Sequence, residues 1–306
     1  MPSSNPVLQE KIFAREAETS ARAGYAPRTA TPTATASGAG QPPAPTTGSE
    51  PEPFASDSFG IGAPPSGAAA VDEDVMRVGG VASATLFLAA VLFIAAFFGW
   101  NAVQIVTTTD LAGETVVQST KIPGWLWPAW IVGLVLAIVT VFKPKIARYT
   151  ANLYVIAQGL LMGAISKIFN VQYDGIVLQA LFLTGAVFLV MLGLFVTRTI
   201  RVTQKLRTGI IVATISVLGV YLLSWILSFF GVQNPAVYSA GPIGIVFSLV
   251  VVGIAAFNLL LDFDFVERAV EAKAPRYLEW YAAFGLMVTL IWLYLELLRL
   301  LAKLRE

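Results

Sequence analysis

The chain has 306 residues, 56% of them hydrophobic and 13% charged, with a net charge of +1. A soluble domain carries about 25% charged residues, so this chain cannot cover a water-facing surface and reads as a membrane protein. It has no cysteine and no histidine, which excludes disulfides, thiolate nucleophiles, zinc sites of the Cys/His kind, histidine-ligated haem and serine–histidine catalysis. The near-neutral balance, without a dense basic patch, gives no case for nucleic acid as a partner.

In chain order, residues 1–75 hold no apolar run long enough to span a bilayer or form a signal-peptide core. Pro6 to Ala23 can form a short helix with Leu8, Ile12 and Phe13 on one side. Ala26 to Ala70 is a low-complexity mixture of Pro, Thr, Ser, Gly and Ala that lacks the apolar area to offset ordering entropy. The expectation is a disordered cytoplasmic tail over 1–78 and a seven-helix transmembrane domain over 79–306.

From Gly80 onward, segments of about 20 apolar residues recur, the length that crosses a ~30 Å hydrocarbon core. They run Val81–Ile105, Trp125–Phe142, Ala151–Phe169, Ile176–Val196, Ile210–Phe230, Pro242–Leu261 and Tyr281–Leu301. Trp125, Trp127 and Trp130 form an interfacial belt on the second. The fold expected is an all-α bundle of seven transmembrane helices.

Short loops set the orientation. Loop 143–149 holds Lys143, Lys145 and Arg148; loop 197–209 holds Arg198, Arg201, Lys205 and Arg207; loop 262–280 holds Arg268, Lys273 and Arg276. The alternate loops (107–124, 170–175 and 231–241) hold only Lys121. That bias places the N-terminus in the cytoplasm of a multi-pass plasma-membrane protein. Seven spans put the C-terminus outside, although Arg299, Lys303 and Arg305 gather there; the bias of the whole chain outweighs them.

Carboxylates within apolar runs are the chemistry left. Asp262 and Asp264 close the sixth run and lie about 200° apart on a helix, so they cannot share a face. Asp264 has Arg268 at i+4, which suits a solvated surface pair. Asp262 has no basic neighbour at helical spacing and is the better inward-facing acid. Glu296 sits inside the last run with Arg299 at i+3; a charge there costs at least ~2.5–3.5 kcal/mol on insertion scales, so it either faces the bundle with a partner or snorkels to the interface with Arg299. Lys167 reads as a snorkelling cation. Gln158, Gln179, Thr184 and Asn258 read as interhelical hydrogen bonders. Gly159–Gly163, Gly241–Gly244 and Gly253–Ala256 read as close-packing surfaces.

Several of these runs carry a resemblance. Ala157-Gln-Gly-Leu-Leu-Met-Gly-Ala-Ile-Ser166, Gly175-Ile-Val-Leu-Gln-Ala180, Thr184-Gly-Ala-Val-Phe188, Leu261-Asp-Phe-Asp264 and Leu293-Tyr-Leu-Glu296, in this order over residues 80–303, resemble the Bax inhibitor-1/YccA family, also called the transmembrane Bax inhibitor motif family. The resemblance is to bacterial members. It implies a seven-helix bundle with the last helix at its centre. It also implies an acid late in helix six and another in helix seven, forming a pH-responsive latch over a calcium-permeable path. Asp262 and Glu296 take those places, with Asp264, Arg299 and Asn258 as secondary candidates.

The two acids are 34 residues apart. With the turn near Ala274-Pro275, their depths differ by about eight residues, roughly 12 Å, so the loop absorbs that difference or Glu296 has another partner. Carboxyls that meet share one proton and tie their helices together, and losing it makes them repel. Ionised, the same oxygens suit Ca²⁺, which takes 6–8 oxygens, and two carboxylates make a weak, transient site for it. No resident cofactor is expected.

The leading function is therefore a pH-sensitive calcium or cation leak. The alternative is a non-transporting regulator that binds another membrane protein, such as a membrane protease or its substrates. An enzyme is not expected. The Gly-x-Gly-Asp signature of aspartyl intramembrane proteases is absent, Glu296-Leu-Leu-Arg299 is a poor substitute for paired acids on a helix, and a retinal receptor needs a lysine midway along the last helix, where only Lys303 stands at its end.

Overall fold

The computed structural model describes residues 75–109, 115–121, 123–231 and 239–306. Most of the segment read as a tail lies outside these residues. Seven α-helices follow in chain order: α1 (Val78–Ala102), α2 (Leu126–Phe142), α3 (Ala147–Gln172), α4 (Ile176–Val196), α5 (Gln204–Ser228), α6 (Pro242–Glu271) and α7 (Leu278–Arg305). All but α2 are long and apolar enough to cross a membrane; α2 has 17 residues. Between α1 and α2 lies an antiparallel hairpin, β1 (Gln104–Thr109) and β2 (Thr115–Lys121), with an irregularity between Val106 and Thr107.

The hairpin corrects the first expected span. Ile105 belongs to β1, not to a helix reaching it. The chain turns extended at Val103, where a run of β-branched residues begins that packs readily on a pleated strand. The sixth span is also longer than its apolar run. α6 continues ten residues past Leu261, through Asp262 and Asp264, to Glu271.

α7 is the central helix. In its most apolar stretch 61% of residues are buried, against 11% in α4 and 17% in α5. It packs on α1, α3, α4 and α6, while α2 packs chiefly on α3 and α5 on α6. Large side chains such as Phe97, Phe182 and Phe230 point outward and exposed. That surface is unfit for water but matches hydrocarbon.

α1 and α3 make the tightest helix pair. A Cβ at Gly163 would overlap the Ala96 carbonyl, and one at Gly99 would overlap the Leu160 carbonyl. The Gly159–Gly163 stretch is thus the close-packing surface expected of small residues in lipid. The other two stretches differ: a Cβ at Gly244 meets its own preceding loop at Ser239, and one at Gly253 meets nothing. Gly163→Val is expected to push α1 from α3 and destabilise the bundle by about 1–3 kcal/mol, read as a lowered midpoint of thermal unfolding in detergent.

Contacts sort the loops into two ends. At one end, the Met76 amide donates to the Ala274 carbonyl (2.8 Å), the Arg77 amide donates to Glu279 Oε1 (2.9 Å), Arg198 pairs with Glu267 (2.7 Å) and the Arg148 guanidinium lies 5.7 Å from the Trp280 ring. At the other, Arg305 donates to the Asp174 carbonyl and to Gln179, Tyr173 donates to Glu306, and Lys303 donates to the Gly244 carbonyl. The three basic loops share the first end. Lys303 and Arg305 of the basic cluster on α7 are committed to acceptors at the second.

Candidate functional site

The polar groups that lipid penalises collect along α5, α6 and α7. Asp262 is half-buried and accepts a hydrogen bond from Thr289 Oγ1 of α7 at 2.6 Å. Gly285, one turn earlier on α7, leaves room for it: a Cβ there would lie 3.7 Å from Asp262 Oδ1. Asp262 therefore faces the central helix, as an inward-facing acid should, and no cation is paired with it among the described residues.

Asp264 is also inside. It forms the expected pair with Arg268 (2.9 Å), but Asp264 is only 7% exposed. The solvated surface pair expected from the sequence is corrected to a buried carboxylate reached by a half-exposed guanidinium. The reason is that α6 continues past it, so Asp264 lies in a packed helix rather than at a frayed end.

Glu296 is 2% exposed and collects donors from two helices. Tyr221 of α5 donates from its hydroxyl to the carboxylate at 2.9 and 3.0 Å, Trp292 Nε1 donates at 3.2 Å, and Arg299 Nη1 donates to both oxygens at 3.0 Å. Arg299 also donates to the Tyr221 hydroxyl at 2.7 Å and lies 5.0 Å from that ring's centre. Glu296 and Arg299 are thus a local pair, and Glu296 nevertheless faces the bundle. Lipid exposure is avoided because each charge is hydrogen-bonded within the protein.

Asp262 and Glu296 do not share a hydrogen bond. Asp262 meets α7 at Thr289, which is two turns, about 10 Å, from Glu296 along the helix. Of the two readings left by their depths, the second holds, and Glu296's partners are Tyr221, Trp292 and Arg299. Asn258 lies one turn from Asp262 on α6 and donates to Thr214 of α5 at 2.8 Å and to the Ile254 carbonyl. Together they form a polar column through the bundle: Asp262 with Thr289, Asn258 with Thr214, then Glu296 with Tyr221 and Arg299.

α5 closes this column along one narrow stripe. Its buried residues are Ile210, Val217 and Ser224, spaced by seven, and Thr214 and Tyr221 fall in the same stripe. Sequence reasoning missed Tyr221 because a tyrosine in an apolar run carries no mark of its partner. Gln179 makes the expected interhelical bond, to Arg305, whereas Thr184 donates to its own helix at the Ala180 carbonyl. Lys167 sits 5.9 Å from the Trp100 ring centre. No three acidic residues converge among the described residues as a metal site.

Fold and column define a multi-pass helical membrane protein with acids buried among its helices. Its sequence matches the Bax inhibitor 1 like family over residues 5–306, and the chain belongs to that family. The match reaches well into the N-terminal segment that the resemblance left uncovered. No curated protein matches the chain.

Proposed function

We propose that this protein is a non-enzymatic, pH-sensitive leak for cations, Ca²⁺ foremost, through the polar column of α5, α6 and α7. The observation that supports the reading is Asp262: a carboxylate on α6 at the end of its apolar run, turned to the central helix, held by one hydroxyl and paired with no cation among the described residues. A lone acid in such a place is expensive and is a mark of ion or proton pathways. Glu296 is the second station, neutralised by Arg299 while the column is closed. Protonation acts on two separate carboxylates rather than on a shared proton, and Ca²⁺ is cargo, held weakly because it meets one acid at a time.

α2 is taken as the seventh span. At about 26 Å it reaches the lower limit for crossing. It also joins the hairpin to the start of α3, and Arg148 there packs on Trp280 at the opposite end of the bundle. In this reading the end holding the start of α1 is cytoplasmic and the C-terminus is outside, in the plasma membrane; the basic loops support the orientation.

Ca²⁺ flux into proteoliposomes of the purified protein, followed at several pH values, tests this. The expected outcome is a pH-dependent flux whose profile changes in both Asp262→Asn and Glu296→Gln. Flux that neither substitution alters would remove these residues from the path. Flux no greater than that of empty liposomes at every pH would replace the leak by a regulator that binds another membrane protein.

A further inference from the structure

A second feature lies on the opposite side of α7 from Glu296. A cavity of about 570 Å³ opens between α1 and α4 and is floored by α3 and α7. Its wall is almost wholly apolar, and Phe93 and Phe97 on its rim are exposed to the surroundings of the bundle. It therefore opens sideways, toward hydrocarbon, rather than along the axis of the bundle toward water.

Its dimensions match one leaflet. Along α1 it runs from Ala89 to Asn101, and along α4 from Val177 to Phe188. The rises are about 18 and 17 Å at 1.5 Å per residue, against about 15 Å for half of a ~30 Å core. The mouth lies at the end where α1 finishes and α4 begins. There Lys167 of α3 holds its ammonium 5.9 Å from the ring centre of Trp100, which lines the cleft. A cation and an indole beside an apolar slot of one-leaflet depth have the chemistry of a lipid site: a chain in the slot and an anionic headgroup on the lysine. Inside, the Ser166 and Tyr294 hydroxyls are bonded to each other at 2.6 Å, so the lining leaves that pair satisfied when hydrocarbon covers it.

We infer that this cleft binds one acyl chain of an anionic phospholipid from the leaflet nearest the C-terminus of α7, with Lys167 holding its headgroup. Native mass spectrometry of the full-length protein, titrated with phosphatidylglycerol and with phosphatidylcholine of identical oleoyl chains, reads this directly. Wild type is expected to retain one phosphatidylglycerol about fivefold more tightly than phosphatidylcholine, the effect of one lysine near a lipid surface. Lys167→Gln is expected to bind both lipids equally. Gly185→Phe is expected to lose the retained lipid of either kind, because a side chain there enters open space in the cleft rather than a neighbouring helix. Leu181→Trp fills the same cleft from α4 and gives an independent reading if Gly185→Phe folds poorly. Equal retention of both lipids by wild type, or unchanged retention in the folded cleft-filling variant, would overturn the assignment and leave only annular lipid.

Discussion

Arg299→Met is expected to destabilise the protein by about 3–5 kcal/mol, the cost of breaking a buried pair by removing one partner. The loss falls on Glu296 rather than on the arginine. Glu296 is 2% exposed, whereas the Arg299 side chain is 38% exposed. Methionine preserves the apolar stem, so the change reports on charge and not on packing. Without Arg299, the carboxylate loses a charged hydrogen-bond donor and keeps those of Tyr221 and Trp292, which carry no charge. Glu296→Gln should cost far less, about 1 kcal/mol, because glutamine still accepts from those donors and Arg299 retains its outward exposure. Combining the two should return most of the loss, since the double variant leaves no unpaired buried charge. Reversible unfolding of the four proteins in mixed micelles measures this. Equal costs for the two single changes, or additive costs in the double variant, would show that the pair is not coupled.

Most of the fold is legible in the sequence because hydrocarbon demands long apolar runs with every backbone group satisfied internally. Each of the seven runs lies largely within one helix. The misreadings occur where that demand lapses. Val103 and Ile105 are apolar, and composition alone extends the first span over them, yet Val103 ends the helix in an extended conformation and Ile105 belongs to β1. Asp262 and Asp264 mark where apolar sequence ends but not where α6 ends, since Asp264 with Arg268 and Glu267 with Arg198 carry the helix ten residues further.

The candidate site was legible by residue but not by partner. Cost singles out Glu296, though it leaves open whether that acid faces the bundle or snorkels, and the lack of a basic neighbour marks Asp262 as the better inward-facing acid. Which groups they meet depends on the register between helices, and one sequence does not encode that visibly. Asp262 meets Thr289 and Glu296 meets Tyr221 because α5, α6 and α7 align them at those depths. Arg299, a local neighbour at i+3, was the one partner that spacing could supply.

Tyr221→Phe is expected to raise the basal leak at neutral pH while leaving the bundle folded. Through the hydroxyl α5 reaches the Glu296–Arg299 pair, donating to the carboxylate and accepting from the guanidinium. Hydrogen bonds to charged groups are worth about 1.5–3 kcal/mol each. Phenylalanine keeps the ring, its edge contact with Phe247 and its position beneath Arg299. It removes the bond without removing the packing. α5 otherwise meets the bundle along one stripe, which also holds the hydrogen bond from Asn258 to Thr214. If α5 moves away when the column conducts, the open state lacks the Tyr221 bonds already, and only the closed state loses stability on substitution. A loss of about 1.5–3 kcal/mol then raises the open fraction roughly 10- to 100-fold where that fraction starts small. Flux measured in the same proteoliposomes decides it. A rise of that order makes α5 the moving element of the leak. Flux equal to wild type, in a variant that stays folded but has lost about that much stability, would mean that the column conducts without parting α5 from α7, and the moving element would have to be sought on the α6 side, where Asp262 meets Thr289.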